Sequence, residues 1–259
     1  MQQKRASTSN IPNQLFKHFD ATGGIKTLEN SSLRLKKPSD LNDPFEVCPQ
    51  IIIPSDAEID LKYKTDIANL TGNHTRRLTS YREVIKNFTH KDFQEIASEK
   101  YNITSLTTRC NNILMWSHYS QNHTGFVLGF NTNEFTQHIE KVKYPKNRPK
   151  YNPATIKSNP ETNIKPILIS KSEDWEYEDE FRLIIDISKK DPNSKLKSDK
   201  NFIHLKFNSN SIKNIFIGHK TSESDIEQIT RLRSTSYKHA RIFQAYLSKT
   251  HFALSFKKI

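Results

Sequence analysis

The segment from Trp175 to Asp186 sets Glu176, Glu178 and Glu180 two residues apart, with Arg182 next in the series. Read as a β-strand, it puts these four on one face, neighbours roughly 6.5–7 Å apart. Trp175, Tyr177, Asp179, Phe181 and Leu183 take the other face. Phe181 to Ile185 is aromatic and β-branched, which suits a pleated, half-buried surface. A row of carboxylates beside a buried edge is costly unless it is solvated, paired or used. Used, it can stabilise developing positive charge or hold Mg²⁺ near phosphate. Unused, it is an ion ladder in which Glu178 and Glu180 pair with Arg182 and with bases of a neighbouring strand. Glu176 reads as a solvated end residue.

Two further segments carry chemistry. Met115, Trp116, His118 and Tyr119 fall within a predicted helix from Ile113 to Gln121, and His123 follows at a turn. Trp116 and Tyr119 share one helical face, and Met115 and His118 the next. Aromatic rings there can stack on a planar ligand, and a histidine can bind phosphate or move a proton. The structural alternative is a packed aromatic helix with satisfied histidines. Between Pro38 and Glu46, Asp40, Asn42 and Asp43 form turn chemistry, since short polar side chains bond the following backbone. The turn reads first as structural, and it can also present Asn42, Asp43 and Glu46 to a site.

The formal net charge of +12 points to anionic partners, namely nucleic acid, nucleotides or phosphorylated molecules, or else to a plain lysine-rich surface. Six glycines leave no glycine-rich phosphate loop. Cys48 and Cys110 form no C-x-x-C, so a zinc ribbon or redox pair is unsupported and reduced thiols are expected. The first ten residues are polar and lack the apolar stretch of a secretory signal. No apolar run approaches a membrane span. The expected location is cytoplasmic, with no membrane partner.

The elements that must position these residues follow from periodicity. Residues 1–12 read as a disordered tail and 13–259 as one α+β domain. Leu15–Phe19 reads as a strand with Phe16 and His18 on one face, broken by Thr22, Gly23 and Gly24. A short helix is expected over Ile25–Glu29, then a strand over Ser32–Lys36 with Leu33 and Leu35 inward. Residues 56–100 form a helical insert covering the sheet, with Ile59, Tyr63, Ile67 and Leu70 at helical spacing and a basic connector over 73–77. Tyr101–Leu106 and Phe126–Phe130 read as strands, with Asn111 or Asn112 capping the helix between them. Phe135–Val142 reads as a helix, and the stretch on to Pro166 as a long basic loop. Ser188–Lys200 is a charged hairpin loop before a strand over Phe202–Phe207. Ile212–Gly218 is a buried strand, Ser222 opens a helix, and strands over Ala240–Tyr246 and Phe252–Phe256 close the chain. The fold class is α+β, with a mixed or antiparallel sheet.

Three ordered motifs carry a resemblance. They are Leu41 to Phe45; Met115 to Tyr119 with His123, Gly125, Phe126 and Gly129; and Trp175, Tyr177, Glu178, Glu180 and Arg182. Together they resemble a large bacterial domain-of-unknown-function family, some of whose members are similar to abortive-infection phage-resistance proteins. The resemblance runs over about residues 14–256 and implies a toxin or anti-phage role with an antitoxin or defence-system partner protein. A second resemblance is to the ADP-ribosyltransferase fold, with His18 on the first strand, Tyr119 midway and Glu178 and Glu180 late. It implies NAD as substrate. Glu180 would stabilise positive charge on the ribose, and Glu178 would orient or deprotonate the acceptor. Tyr119 or Trp116 would stack on nicotinamide, with His18 or Arg182 on ribose or phosphate. His118, His123 and Asn42 join the candidate site, and no metal is assigned.

Two other function classes stand beside this one. A metal-dependent nuclease or hydrolase would use Asp43, Glu46, His118, His123 and Glu178 or Glu180. A non-catalytic nucleic-acid-binding module would use the basic loops and aromatics.

Overall fold

A computed structural model describes residues 11–66, 74–155, 160–189, 195–199 and 202–259. The chain begins with β1 (Gln14–Phe19), α1 (Ala21–Asn30), β2 (Ser32–Leu35) and β3 (Gln50–Ile51). Three helices follow, α2 (Asp56–Asp66), α3 (His74–Lys86) and α4 (His90–Lys100). Then come β4 (Tyr101–Thr107), α5 (Ile113–Tyr119), β5 (Phe126–Asn131), β6 (Ile139–Lys141), β7 (Lys150–Tyr151) and α6 (Pro160–Leu168). The last part holds β8 (Glu180–Asp186), β9 (Leu196–Asp199), β10 (Phe202–Lys206), β11 (Ile212–Ile217), α7 (Glu223–Ser236), β12 (Arg241–Leu247) and β13 (Leu254–Lys258).

An eight-stranded sheet runs in the order β13-β12-β11-β5-β1-β4-β8-β6. It is mixed, since β11 and β12 are parallel and the other pairs antiparallel. The α+β class with a mixed sheet therefore holds. One face buries Leu15, Leu106, Phe126, Leu128, Leu183 and Ile215 under α1 and α7, and the main core forms there. The helical segment covers part of the opposite face, where Phe93 and Ala97 of α4 meet Ile103 of β4. A three-stranded sheet, β2-β10-β9, turns Leu33, Leu35 and Leu205 into the main core.

One feature of the strand pairing makes the cleft. β1 pairs with β5 along its length, from Gln14↔Asn131 to Phe19↔Phe126. β4 pairs with β8 along its length, from Tyr101↔Asp186 to Thr107↔Glu180. Between them β1 and β4 share the single pair Phe16↔Thr107 and then part. Lys17 Nζ spans the gap to Ser105 O at 2.9 Å. An isolated bridge, Lys36↔Ile103, ties the end of β2 to the same β4 edge.

Several expectations change. Trp175–Asp179 is not strand. Glu173–Glu178 is a 3₁₀ turn whose N-cap, Ser172, accepts from Asp174 N, with Glu173, Asp174 and Glu176 in its first turn. Acidic side chains suit the positive end of a turn of helix. Asp179 ends it at φ 43, a left-handed conformation that Asp tolerates better than most residues. Thr22, Gly23 and Gly24 do not form a break between strand and helix but lie in the first turn of α1, because Asp20 accepts from Gly23 N at 2.7 Å. Phe135–Val142 is not a helix, since Ile139–Lys141 pairs with β8 and buries Ile139. The stretch to Pro166 holds β7 and α6 rather than loop alone, and β9 lies within the expected hairpin loop. His74 to Arg77, read as a connector, opens α3. Ile67 and Leu70 lie outside the described residues, as does the expected tail over residues 1–10. Ile11 packs on the main core, and Pro12 O accepts from Thr132 Oγ1.

Gly125 shows how closely the chain approaches itself beside the cleft. A Cβ there would overlap the carbonyl oxygen of Phe19. Gly125→Ala is expected to cost about 1–3 kcal/mol through forced backbone movement. Denaturant titration checks this, with an unchanged midpoint as the contrary result.

Candidate active site

The 3₁₀ turn and β8 deliver Glu178 and Glu180 to the mouth of the gap between β1 and β4. Glu180 and Arg182 share a face of β8, opposite Thr107 and Ser105 of β4. Into that face project Lys171, from the segment after α6, and Glu46, from the turn after Leu41. All five side chains are buried. Lys171 Nζ donates to Glu178 Oε2 at 2.5 Å and to Glu180 Oε2 at 3.0 Å, and lies 3.5 Å from Glu46 Oε1. Arg182 Nε donates to Glu180 Oε1 at 2.8 Å, its Nη1 to Leu168 O at 2.7 Å, and its Nη2 to Glu46 Oε1. Tyr119 OH donates to Glu178 Oε1 at 2.6 Å. Glu180 N donates to Tyr144 OH at 2.8 Å.

Three carboxylates therefore meet two cations, and their environments separate them. Burial pushes the Glu180 carboxyl up, but Arg182 and Lys171 outweigh it and hold it down at about 2. Burial wins at Glu178, whose carboxyl is raised despite Lys171. Burial wins also at Glu46, against Arg182. Glu180 is thus a fixed anion, and Glu178 the carboxylate readier to take a proton. Burial, then Glu178, raises the Tyr119 phenol, so it stays a donor.

A cleft of about 840 Å³ runs from this cluster through the gap, within the usual range of small-molecule sites. His18, Asn42, His118, Tyr119, Glu178 and Glu180 all line it, as do Lys17, Lys26 and Glu46. His18 is 8% exposed, and neither of its ring nitrogens has a partner. Burial, then Lys17, drops its pKa to about 3. Lys17 itself is brought down to about 8 by burial and by Lys36, with Glu180 pulling the other way.

The remaining candidates stand off the cleft. Trp116 has no exposed surface. Its indole N–H donates to Cys110 O at 2.8 Å, and its ring meets the His18 ring edge-on at 5.6 Å. It holds His18 in place and presents no face to a ligand. His123 stacks on that indole at 6.1 Å and bonds Ser117 Oγ at 3.2 Å. Arg182, fully buried, tethers carboxylates and reaches no phosphate. The metal-dependent reading draws no support from this arrangement, because Lys171 and Arg182 already supply the positive charge among these carboxylates. Among the described residues no group of three His, Cys, Asp or Glu is placed to hold an ion. Among them too, no helix is long and apolar enough to cross a membrane.

Lys171 and Tyr144 were not legible as site residues. The one signal was a lysine shortly after the apolar run Ile167 to Ile169, where burial needs a counter-charge.

Residues 115–183 match the family model described as a protein of unknown function, DUF2971. The match bears out the resemblance to a domain-of-unknown-function family. The matched residues hold the second and third motifs, with Tyr119, Lys171, Glu178, Glu180 and Arg182. His18, Asn42 and Glu46 lie outside it. Neither a curated protein nor a solved structure matches the chain.

The buried neutral histidine has a consequence for stability. His18 has an ordinary value of 6.5 and about 3 when folded, so between these the unfolded chain binds the extra proton. Its contribution is complete above pH 6.5 and falls as pH drops towards 3, by up to about 1.4 kcal/mol per pH unit. Denaturant titrations at pH 7, 6 and 5 are expected to show this slope as the difference between wild type and His18→Leu. Parallel curves would contradict it.

Proposed function

We propose that the cleft binds NAD and breaks its nicotinamide–ribose bond, passing ADP-ribose to a nucleic acid or a protein. The observation that carries this reading is the convergence of His18, Tyr119, Glu178 and Glu180 on one cleft. As the C–N bond breaks, its electron pair leaves with nicotinamide and positive charge develops on the ribose. Glu180, held ionised, is a preorganised anion for that charge. The acceptor's oxygen or nitrogen bonds to the ribose carbon, and its proton goes to Glu178, whose raised pKa suits a base. Tyr119 keeps Glu178 aimed while remaining protonated.

The cleft also suits the rest of the substrate. His18, neutral and unpartnered, offers one donor and one acceptor. Lys17 and Lys26 supply positive charge for a pyrophosphate. Some members of the domain-of-unknown-function family that the chain resembles are similar to phage-resistance proteins, which supports a toxin or defence setting with a partner protein that restrains the activity.

Incubation with NAD labelled in its adenylate half, alongside total RNA, DNA and lysate, tests the reading. Label is expected to enter one macromolecular fraction with wild type and to be lost with Glu180→Gln. No transfer to any fraction, or equal transfer by both, contradicts it.

A further inference from the structure

The outward face of the three-stranded sheet is built unlike the rest of the surface. Directly paired residues of an antiparallel sheet share a face. The pairs Ile203↔Leu35 and Leu205↔Leu33 point inward to the core. The alternate residues, Arg34 on β2, Phe202, His204 and Lys206 on β10, and Lys197 and Asp199 on β9, point out. Three cationic side chains, a histidine and an exposed aromatic ring thus share a small pleated face with the single acid Asp199. Phe202 is 39% exposed, so its ring is reachable from solvent. The Arg34 guanidinium lies 3.5 Å over its ring centroid, so ring and cation form a close cation–π pair. Lys36, just past β2, extends the basic face, and Lys206 Nζ is anchored to Asn30 O.

This face opens into the cleft, whose walls include Arg34, Lys36, Asp199, Phe202 and His204. We propose that it is a platform for single-stranded nucleic acid, with a base stacked at Phe202 and Arg34 and phosphates on Arg34, Lys36, Lys197 and Lys206. The charge selects a polyanion. The stack selects unpaired bases, because a duplex buries its base faces. The flat sheet permits a strand to lie across it and on towards Glu178. The platform does not depend on NAD chemistry; where both hold, the bound strand is the acceptor.

Fluorescence anisotropy with short labelled oligo-dT, oligo-rU and a duplex of equal length tests this on the whole chain. Single strands are expected to bind more tightly than duplex, and dT against rU reports which sugar is preferred. Phe202→Ala is expected to weaken binding about tenfold. Arg34→Gln with Lys36→Gln is expected to weaken it further and to lower the salt slope by about 0.7 for each phosphate no longer neutralised. Lys257→Gln with Lys258→Gln, exposed on β13 at the far sheet edge, is the control and should change little. Circular dichroism confirms that each variant is folded. Absence of binding at low salt overturns the platform, as does equal affinity for duplex. So does loss in the control pair matching that of the Arg34 and Lys36 pair, or binding that neither platform variant weakens. NAD turnover that survives any of these leaves the proposed function standing by itself.

Discussion

Replacing Arg182 with alanine is expected to destabilise the protein by about 3–5 kcal/mol, because it leaves buried carboxylates without their counter-charge. Arg182 has no exposed surface and makes bonds to Glu180, Glu46 and Leu168 O. Without it, Glu46 and Glu180 would share the lone ammonium of Lys171, which Glu178 already engages. A desolvated carboxylate answers such a loss by taking up a proton. The variant should therefore recover part of its stability as pH is lowered from 7 to 5. Denaturant titration at both pH values reads the size and the sign. A loss below about 1 kcal/mol, typical of a surface pair, would mean the cluster is solvated.

Glu180→Gln is expected to slow nicotinamide release from NAD by about 10²–10³-fold, the usual cost of removing one preorganised group that stabilises a transition state. The amide keeps the shape of the side chain and removes the charge. Glu180 is held ionised down to about pH 2. The penalty should therefore be uniform from pH 5 to pH 8. Glu178→Gln should behave differently. The Glu178 carboxyl is raised by burial, so the wild-type rate should rise with pH through its titration and the variant should lose that limb. Identical profiles for the two variants would mean that the carboxylates are not divided into anion and base.

The legible parts of the fold were those written in local pattern. β1, β4, β5 and β11 are short and hold aromatic or β-branched residues, and each forms where its residues suggest. Asn112 and Ser222 cap helices because their side chains accept from nearby backbone N–H groups. The carboxylate row was legible as a place and misread as a shape. Alternation in Trp175–Asp186 looks like one strand, yet the Ser172 cap and the left-handed Asp179 fold its first half into a turn. Glu178 and Glu180 still reach the same cation, because Lys171 is long enough to bridge turn and strand.

Less of the site than of the fold could be read, for a physical reason. Glu46 meets Arg182 across 136 residues of sequence, and Lys171 meets Glu46 from a third element. Such encounters are set by packing and leave no periodic trace. The gap between β1 and β4 is likewise a property of two strands that pair better with their other neighbours. Trp116 shows the opposite failure. An indole beside histidines invites a stacking role, but its surroundings bury it completely behind His18.

The most direct measurement is release of free nicotinamide from NAD by the whole chain, followed chromatographically with total nucleic acid and lysate present as acceptors. Continuous release is expected from wild type, and release at least about 10²-fold slower from Glu180→Gln. Release no faster than in buffer, or equal release by the two proteins, would contradict the assignment of the cleft to NAD cleavage.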